Sequence, residues 1–198
     1  MTPQAESVLD LFRATGAYLQ GHFRLTSGLH SAEYLQSALV LQHPGAAERL
    51  GRLLAEQLRH AAAIGAAPLV VSPAIGGLII GHETARALGG RHIFTERDAA
   101  TGTMTLRRGF TVKSGERVVV VEDVITTGGT TKDAIDVVRQ AGGEVLAAGS
   151  IIDRSGGRAD VSVPRVSLAT LQVAAHYPSD CPLCAQGIPV VKPGSRPV

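Results

Sequence analysis

Lysine is missing from the first 110 residues of this 198-residue chain; Lys113 comes first, followed only by Lys132 and Lys192. Tryptophan is absent, and three Tyr with four Phe leave little material for base-stacking platforms. Lys and Arg together number 19 against 17 acids and are scattered, so a net charge of +2 makes no case for a nucleic-acid groove. No apolar run approaches the length of a membrane span, and the N-terminus lacks a charged-then-apolar export pattern. The expectation is a cytoplasmic protein with neither nucleic acid nor membrane as partner. Internal repeats and low-complexity segments are missing too. What is present, 44% hydrophobic and 18% charged residues, describes an ordinary globular chain long enough for one sizeable core.

That core has a recognisable centre. Val118 to Val121 are four β-branched residues in a row, the pattern of a strand buried on both faces in a parallel sheet. Glu122 and Asp123 follow at its C-terminal end. A loop of small residues, Thr126 to Thr131, then opens an amphipathic helix whose inner stripe is Ala134, Ile135, Val138 and Ala141. Backbone N–H groups of such a loop and the helix N-terminus suit a phosphate. The acids lie beyond the strand end, where open α/β sheets bind ligands. The loop carries no G-x-x-x-x-G-K-[ST] and no G-x-G-x-x-G, which excludes a P-loop and a dinucleotide fingerprint. Thr and Gly also favour turns and caps, so the loop alone would serve as a plain strand-to-helix connection. Two adjacent acids between a buried strand and that loop favour a site for a phosphorylated sugar.

Elsewhere the pattern alternates. Ala5, Val8, Leu9 and Phe12 make a helical stripe, started by Thr2-Pro3 and stopped by Gly16. Ala17–Leu25 and Ser31–Leu41 read as β-like stretches around Thr26 to His30. Pro44 opens a long helix with Ala47, Leu50, Leu54, Leu58 and Ala61 inside, and Glu48, Arg52, Glu56 and Arg59 outside at pairing distance. Residues 68–72 are a short strand followed by Pro73-Ala74-Ile75-Gly76-Gly77 and a helix to about Leu88. His92–Thr95 is another strand; residues 96–109 read as a mobile loop plus a hairpin. Val145–Ile152 and a segment around Val166–Leu171 complete the strands. The alternation from 68 to 152 argues for a mostly parallel sheet flanked by helices. Residues 1–198 are expected to form one domain, with an α/β core over about 44–172 and a small hood from about 1–40 and 173–198.

The stretch 118–131 resembles the 5-phosphoribosyl 1-diphosphate (PRPP) motif of type I phosphoribosyltransferases. The resemblance implies that Glu122 and Asp123 hold the ribose hydroxyls, with Asp123 at the reacting centre. It further implies that Val124, Ile125, Thr126, Thr127, Gly128, Gly129 and Thr130 complete the PRPP cradle. Ala74, Ile75, Gly76 and Gly77 would contact pyrophosphate. Residues Phe23 to Ser31, Pro73 to Gly77 and Ile152-Asp153-Arg154 are similar to the orotate-specific branch, and the matches run from residue 11 to about 158. The tail from Tyr177 to Pro189 resembles a short bacterial form. Arg154 makes chemical sense there, because a planar guanidinium recognises the orotate carboxylate bidentately. Thr126 would be the second orotate contact. The implied reaction joins orotate to PRPP with loss of pyrophosphate, in de novo pyrimidine (UMP) biosynthesis. Mg²⁺ is the implied cofactor, carried by PRPP rather than by direct protein ligands, and a homodimer is implied because the mobile loop serves the partner's site.

The common form of this family has lysines where this chain carries Thr26, Gly76 and a stretch centred on Arg97. Pyrophosphate charge must then be met by Arg24, Arg86, Arg97, Arg107 or Arg108, with Arg97 the first choice. Competing readings are a member with another base specificity and a PRPP-sensing regulator without catalysis. Cys181 and Cys184 form a C-x-x-C with only His176 close by in sequence. An ordinary tail turn is preferred there over half a metal site or a disulfide, since zinc would need further ligands from a partner or elsewhere. His22 and His30 read as structural.

Overall fold

Val118, Val119, Val120 and Val121 are fully buried, and what buries them comes from both faces of a six-stranded sheet. The computed structural model describes residues 2–25 and 27–193, so Thr26 lies outside the described residues. A hairpin of β1 (Tyr18–Arg24) and β2 (His30–Leu35) precedes the sheet. The sheet itself comprises β3 (Leu69–Pro73), β4 (Arg91–Arg97), β5 (Met104–Leu106), β6 (Arg117–Ile125), β7 (Glu144–Asp153) and β8 (Arg165–Thr170). Its order is β5-β4-β3-β6-β7-β8, parallel throughout except for β5.

The helices are α1 (Pro3–Ala14), α2 (Ser37–Leu41), α3 (Pro44–Ala61), α4 (Gly77–Leu88), α5 (Gly129–Gln140) and the short α6 (Pro182–Ala185). Along β6 successive side chains alternate between faces. Val119 and Val121 join the stripes of α1, α3 and α4, through Leu9, Phe12, Leu50, Leu54 and Ile80. Val118 and Val120 meet Ala134, Ile135 and Val138 of α5. Burying each such side chain stabilises the fold by roughly 1.5–3 kcal/mol. The two strands at the centre, β3 and β6, send their chains opposite ways: β3 leads through α4 to β4, and β6 through α5 to β7. The crevice between their C-terminal ends is the place where such sheets bind ligands.

Three expectations are corrected. Ser31–Leu41 is not one extended stretch: β2 stops at Leu35, and Ser37, Val40 and Leu41 are buried at helical spacing in α2. A short apolar run does not distinguish strand from helix, and here the i, i+3, i+4 pattern decided. Ala61, expected inside, is exposed at the end of α3, and Ile64 fills the core beyond it. On the outer face Glu48 meets Arg52 at 3.6 Å and Arg86 at 3.4 Å, whereas Arg59 turns away to donate to the Ala87 carbonyl. The hairpin expected within 96–109 is present, and its turn is organised by Asp98, which accepts from the Ala100 and Thr101 N–H groups and the Thr101 hydroxyl.

The hood is made from both ends of the chain. His30 and His176 exchange backbone hydrogen bonds, and the Val191 N–H donates to the His22 carbonyl while its own carbonyl accepts from Arg24. The tail thus flanks the β1–β2 hairpin on both sides.

Candidate active site

A cleft of about 770 Å³ lies between the hood and the C-terminal ends of β3, β6 and β7. Asp123, Val124, Thr126 and Thr127 form its floor on one side, with Ile75 and Gly76 opposite. Tyr34 and Leu35 close it from the hood, and Arg154 and Arg158 come from the loop after β7. Another hollow, of about 670 Å³, lies between α1 and α3 and is lined mainly by Gln4, Leu53, Glu56, Gln57 and His60. It gathers no facing acids and guanidinium groups, so the chemistry belongs to the first.

β6 runs on through Ile125, which places the two acids inside the strand rather than after it. Neighbours in a strand point to opposite faces, and so these do. Asp123 faces the loop after β3, so close that a Cβ on Gly76 would stand 2.6 Å from its Oδ1. Glu122 faces α5, where the Thr131 hydroxyl donates to its carboxylate. Both residues keep a partly exposed edge while their carboxylates are enclosed. Burial, reinforced by the Asp123 charge and opposed by Thr131 and Arg97, pushes Glu122 up to about 7. Burial likewise raises Asp123; the Ser37 hydroxyl lies near enough to oppose the rise, without hydrogen-bond geometry.

The small-residue loop does what its composition demands. Gly128 is left-handed at φ 85°, and a Cβ there would meet Val161 at 2.9 Å, so only glycine makes this turn without strain. α5 begins at Gly129, so the first N–H groups of the helix open at the end of the loop. Thr126 and Thr127 are exposed to the cleft; the Ile125 side chain is core, and only its carbonyl contributes, accepting from the Arg154 N–H at 2.8 Å. Gly129 and Thr130 continue the loop beyond the residues that line the cleft, as Ala74 and Gly77 flank Ile75 and Gly76. A Cβ on Gly77 would meet Ser72 at 2.9 Å and the Val121 carbonyl at 3.0 Å. The Ala74–Ile75 peptide is cis, and Ile75 is 81% exposed.

Arg154 is held by its neighbour. Asp153, buried at the end of β7, accepts from the Ser155 N–H and hydroxyl, the Gly157 N–H and the Arg165 guanidinium. Burial alone would raise Asp153, but these donors keep it below the ordinary carboxylate range. The loop they fix presents Arg154 beneath Tyr34. Desolvation lowers the Arg154 pKa, while Tyr34 and Glu33 oppose that fall. Its Nε is buried with no hydrogen-bond partner among the described residues. An unpaired buried donor on a cation is costly, and an anionic ligand in the cleft would meet it. Arg158 is a cleft residue that the sequence reading missed; its signal was a second arginine four residues on, in a loop rich in glycine.

The arginines proposed for pyrophosphate stand elsewhere. Arg97 pairs with Asp133 of α5 at 2.6 Å and donates to the Gly102 carbonyl, outside the cleft wall. Arg108 is paired with Glu96 and lies over the Phe94 ring, and Arg86 with Glu83 and Glu48. Arg107 and Arg24 are exposed and make no ion pair among the described residues.

Residues 37–182 match the phosphoribosyl transferase domain, and this chain belongs to that family. A protein of Pelotomaculum thermopropionicum named orotate phosphoribosyltransferase is 51% identical over 193 residues, 98% of this chain and 98% of its own. One of the same name from Carboxydothermus hydrogenoformans is 52% identical over 186 residues, 94% of this chain and 95% of its own. Among solved structures, orotate phosphoribosyltransferase from Aeropyrum pernix superposes with a TM-score of 0.68 at 27% identity, covering 83% of this chain and 94% of that one. Within the family, the chain falls in the orotate phosphoribosyltransferase branch.

Proposed function

We propose that this cleft transfers the phosphoribosyl group of PRPP to orotate, giving orotidine 5′-monophosphate and pyrophosphate. The observation that carries the assignment of the base end is Arg154, a buried guanidinium with an unpaired Nε under the hood. Orotate brings the carboxylate that this group lacks. Thr126, in the floor beside it, is the second contact for the base. Asp123, and Glu122 through the carboxylate oxygen not taken by Thr131, accept from the ribose hydroxyls. The 5′-phosphate sits on the loop from Thr126 to Thr130, at the start of α5.

In the reaction the C1–O bond to pyrophosphate breaks and its electron pair leaves with the pyrophosphate. A ring nitrogen of orotate bonds to C1, and its proton leaves to solvent. C1 gains oxocarbenium character, so the site acts chiefly by electrostatics: Asp123 and Glu122 fix the ribose, and the 74–77 loop receives the pyrophosphate on its backbone. Gly76 permits that approach, since any side chain there would meet Asp123. The carboxylates and threonine hydroxyls at the cleft are hard oxygen donors, compatible with Mg²⁺ entering on PRPP. When bound, Mg²⁺ supplies Lewis-acid neutralisation of the departing phosphates.

The working form we assign is a cytoplasmic homodimer in which Arg97 serves the partner's cleft. Its position outside the cleft of its own chain supports that division, as does the family's use of this loop. No helix among the described residues is long and apolar enough to cross a membrane. The assay is loss of orotate absorbance with PRPP and Mg²⁺, repeated with uracil, hypoxanthine and adenine. Turnover with orotate alone is expected; turnover with a purine and none with orotate would overturn the assignment.

A further inference from the structure

The C-x-x-C of the tail, left without a full set of ligands by its sequence neighbours, meets two histidines from the far end of the chain. His22 of β1, His30 of β2, Cys181 and Cys184 present one ligand atom each, and all four atoms lie within 4.8 Å of one another. His22, His30 and Cys181 are buried and Cys184 opens to solvent. His176 takes part only through its backbone, paired with His30.

We propose that these four residues form a structural zinc site that clamps the C-terminal tail onto the β1–β2 hairpin. The ligand set is two thiols and two imidazoles, the Cys₂His₂ composition of closed tetrahedral zinc sites. Zn–N of about 2.0–2.1 Å and Zn–S of about 2.3 Å at tetrahedral angles set ligand atoms about 3.3–3.8 Å apart. Cys181 Sγ is 3.5 Å from His22 Nε2, Cys184 Sγ is 3.7 Å from it, and Cys184 Sγ is 3.3 Å from His30 Nδ1. The edge between His22 Nε2 and His30 Nδ1, at 2.8 Å, must open by about half an ångström, and the two remaining edges, from Cys181 to Cys184 and to His30, are no longer than 4.8 Å.

The outer contacts agree with a metal. His22 Nδ1 lies 2.7 Å from the Ile188 carbonyl, so its proton goes there and Nε2 is left as the free lone pair. Pro182 follows Cys181 at the first position of the α6 turn, and the Gly187 N–H closes back on the Cys184 carbonyl at 2.9 Å. The two cysteines are thereby held on one side of a tight turn. Two thiolates balance the charge of one Zn²⁺, which makes the buried site neutral overall. No ligand position is left open for chemistry, which sets this centre apart from the cleft. Its effect on the cleft is through the wall: Val173 and Ala175, just before His176, line it, as do Leu25 and Ser27 of the hairpin side.

The test is native mass spectrometry and elemental analysis of the full chain, purified without chelator from zinc-supplemented cells. One zinc per chain is expected in the wild type and none in the C181S/C184S double variant. Wild-type protein reconstituted with Co²⁺ should show a sulfur-to-cobalt charge-transfer band, a readout that does not depend on the variant folding. Three results would overturn the proposal: wild type free of metal after zinc exposure, zinc retained at one per chain in the double variant, or a Cys181–Cys184 disulfide seen as a deficit of two protons.

Discussion

The floor of the cleft and the hood above it are built in opposite ways. The floor comes from one contiguous stretch, β6 through the start of α5, and is pinned by a dry core on both faces of the sheet. The hood comes from two segments separated in sequence by the whole α/β core, held by backbone pairing and by the His22, His30, Cys181, Cys184 cluster. Its exposed apolar residues, Tyr177, Val190 and Val191 among them, show how little core the tail has of its own. A floor that must fix a ribose is made rigid by packing; a cover with too little to pack is held by polar ligation and hydrogen bonds.

The largest effect expected concerns the arginine that lies outside its own cleft. R97A and D123N should each be nearly inactive alone. In a mixture, half the dimers are hybrid, and each has one intact site if Arg97 serves the partner, so about a quarter of wild-type activity should return. A mixture as dead as its components would place Arg97 in its own chain's site, whereas an active R97A alone would place it outside the chemistry.

The next effect probes the floor itself. In G76A the new methyl would press on the Asp123 carboxylate, 2.6 Å away on the present backbone. Overpacking of this kind costs about 1–3 kcal/mol, so the PRPP KM should rise about tenfold or more, with the orotate KM little changed. A KM for PRPP equal to wild type would mean that Asp123 does not hold the ribose.

The smallest is a pH effect. Glu122 has its pKa pushed up to about 7, so it is largely neutral at about pH 6 and ionised at about pH 8. PRPP KM should therefore climb several-fold as the pH falls across that range, and E122Q should lose this dependence. Stability runs the other way. Between 4.5, the ordinary glutamate value, and about 7 the native state holds a proton that the unfolded chain has released, so stability falls as pH rises. E122Q should flatten part of that slope in thermal melts, while the raised Asp123 keeps the rest. An unchanged slope would contradict the burial assigned to Glu122.

The floor was legible in sequence because its determinants are local: a four-valine run, two acids and a loop of small residues. What the reading missed there was readable in principle. Glu122 and Asp123 are adjacent in a strand, and the two-residue period sends them to opposite faces. Ser31–Leu41 was ambiguous because five apolar or small residues in a row fit strand and helix alike. Arg158 carried only a weak signal, a second arginine in the same loop, because that loop is fixed by the donors around Asp153, a network that spans β7 and β8. His22 and His30 could not be joined to Cys181 and Cys184 by spacing, since only the tail's path along the hairpin brings them together. The lysine-free pyrophosphate side has a local cause at one position: Gly76 has no room for a side chain beside Asp123.

The central claim is that Arg154 selects the base by its carboxylate, and the orotate assay repeated on R154A tests it most directly. Loss of a charge-assisted pair of hydrogen bonds should raise the orotate KM by about two orders of magnitude, with the PRPP KM near wild type. An R154A enzyme that takes orotate as the wild type does would contradict it.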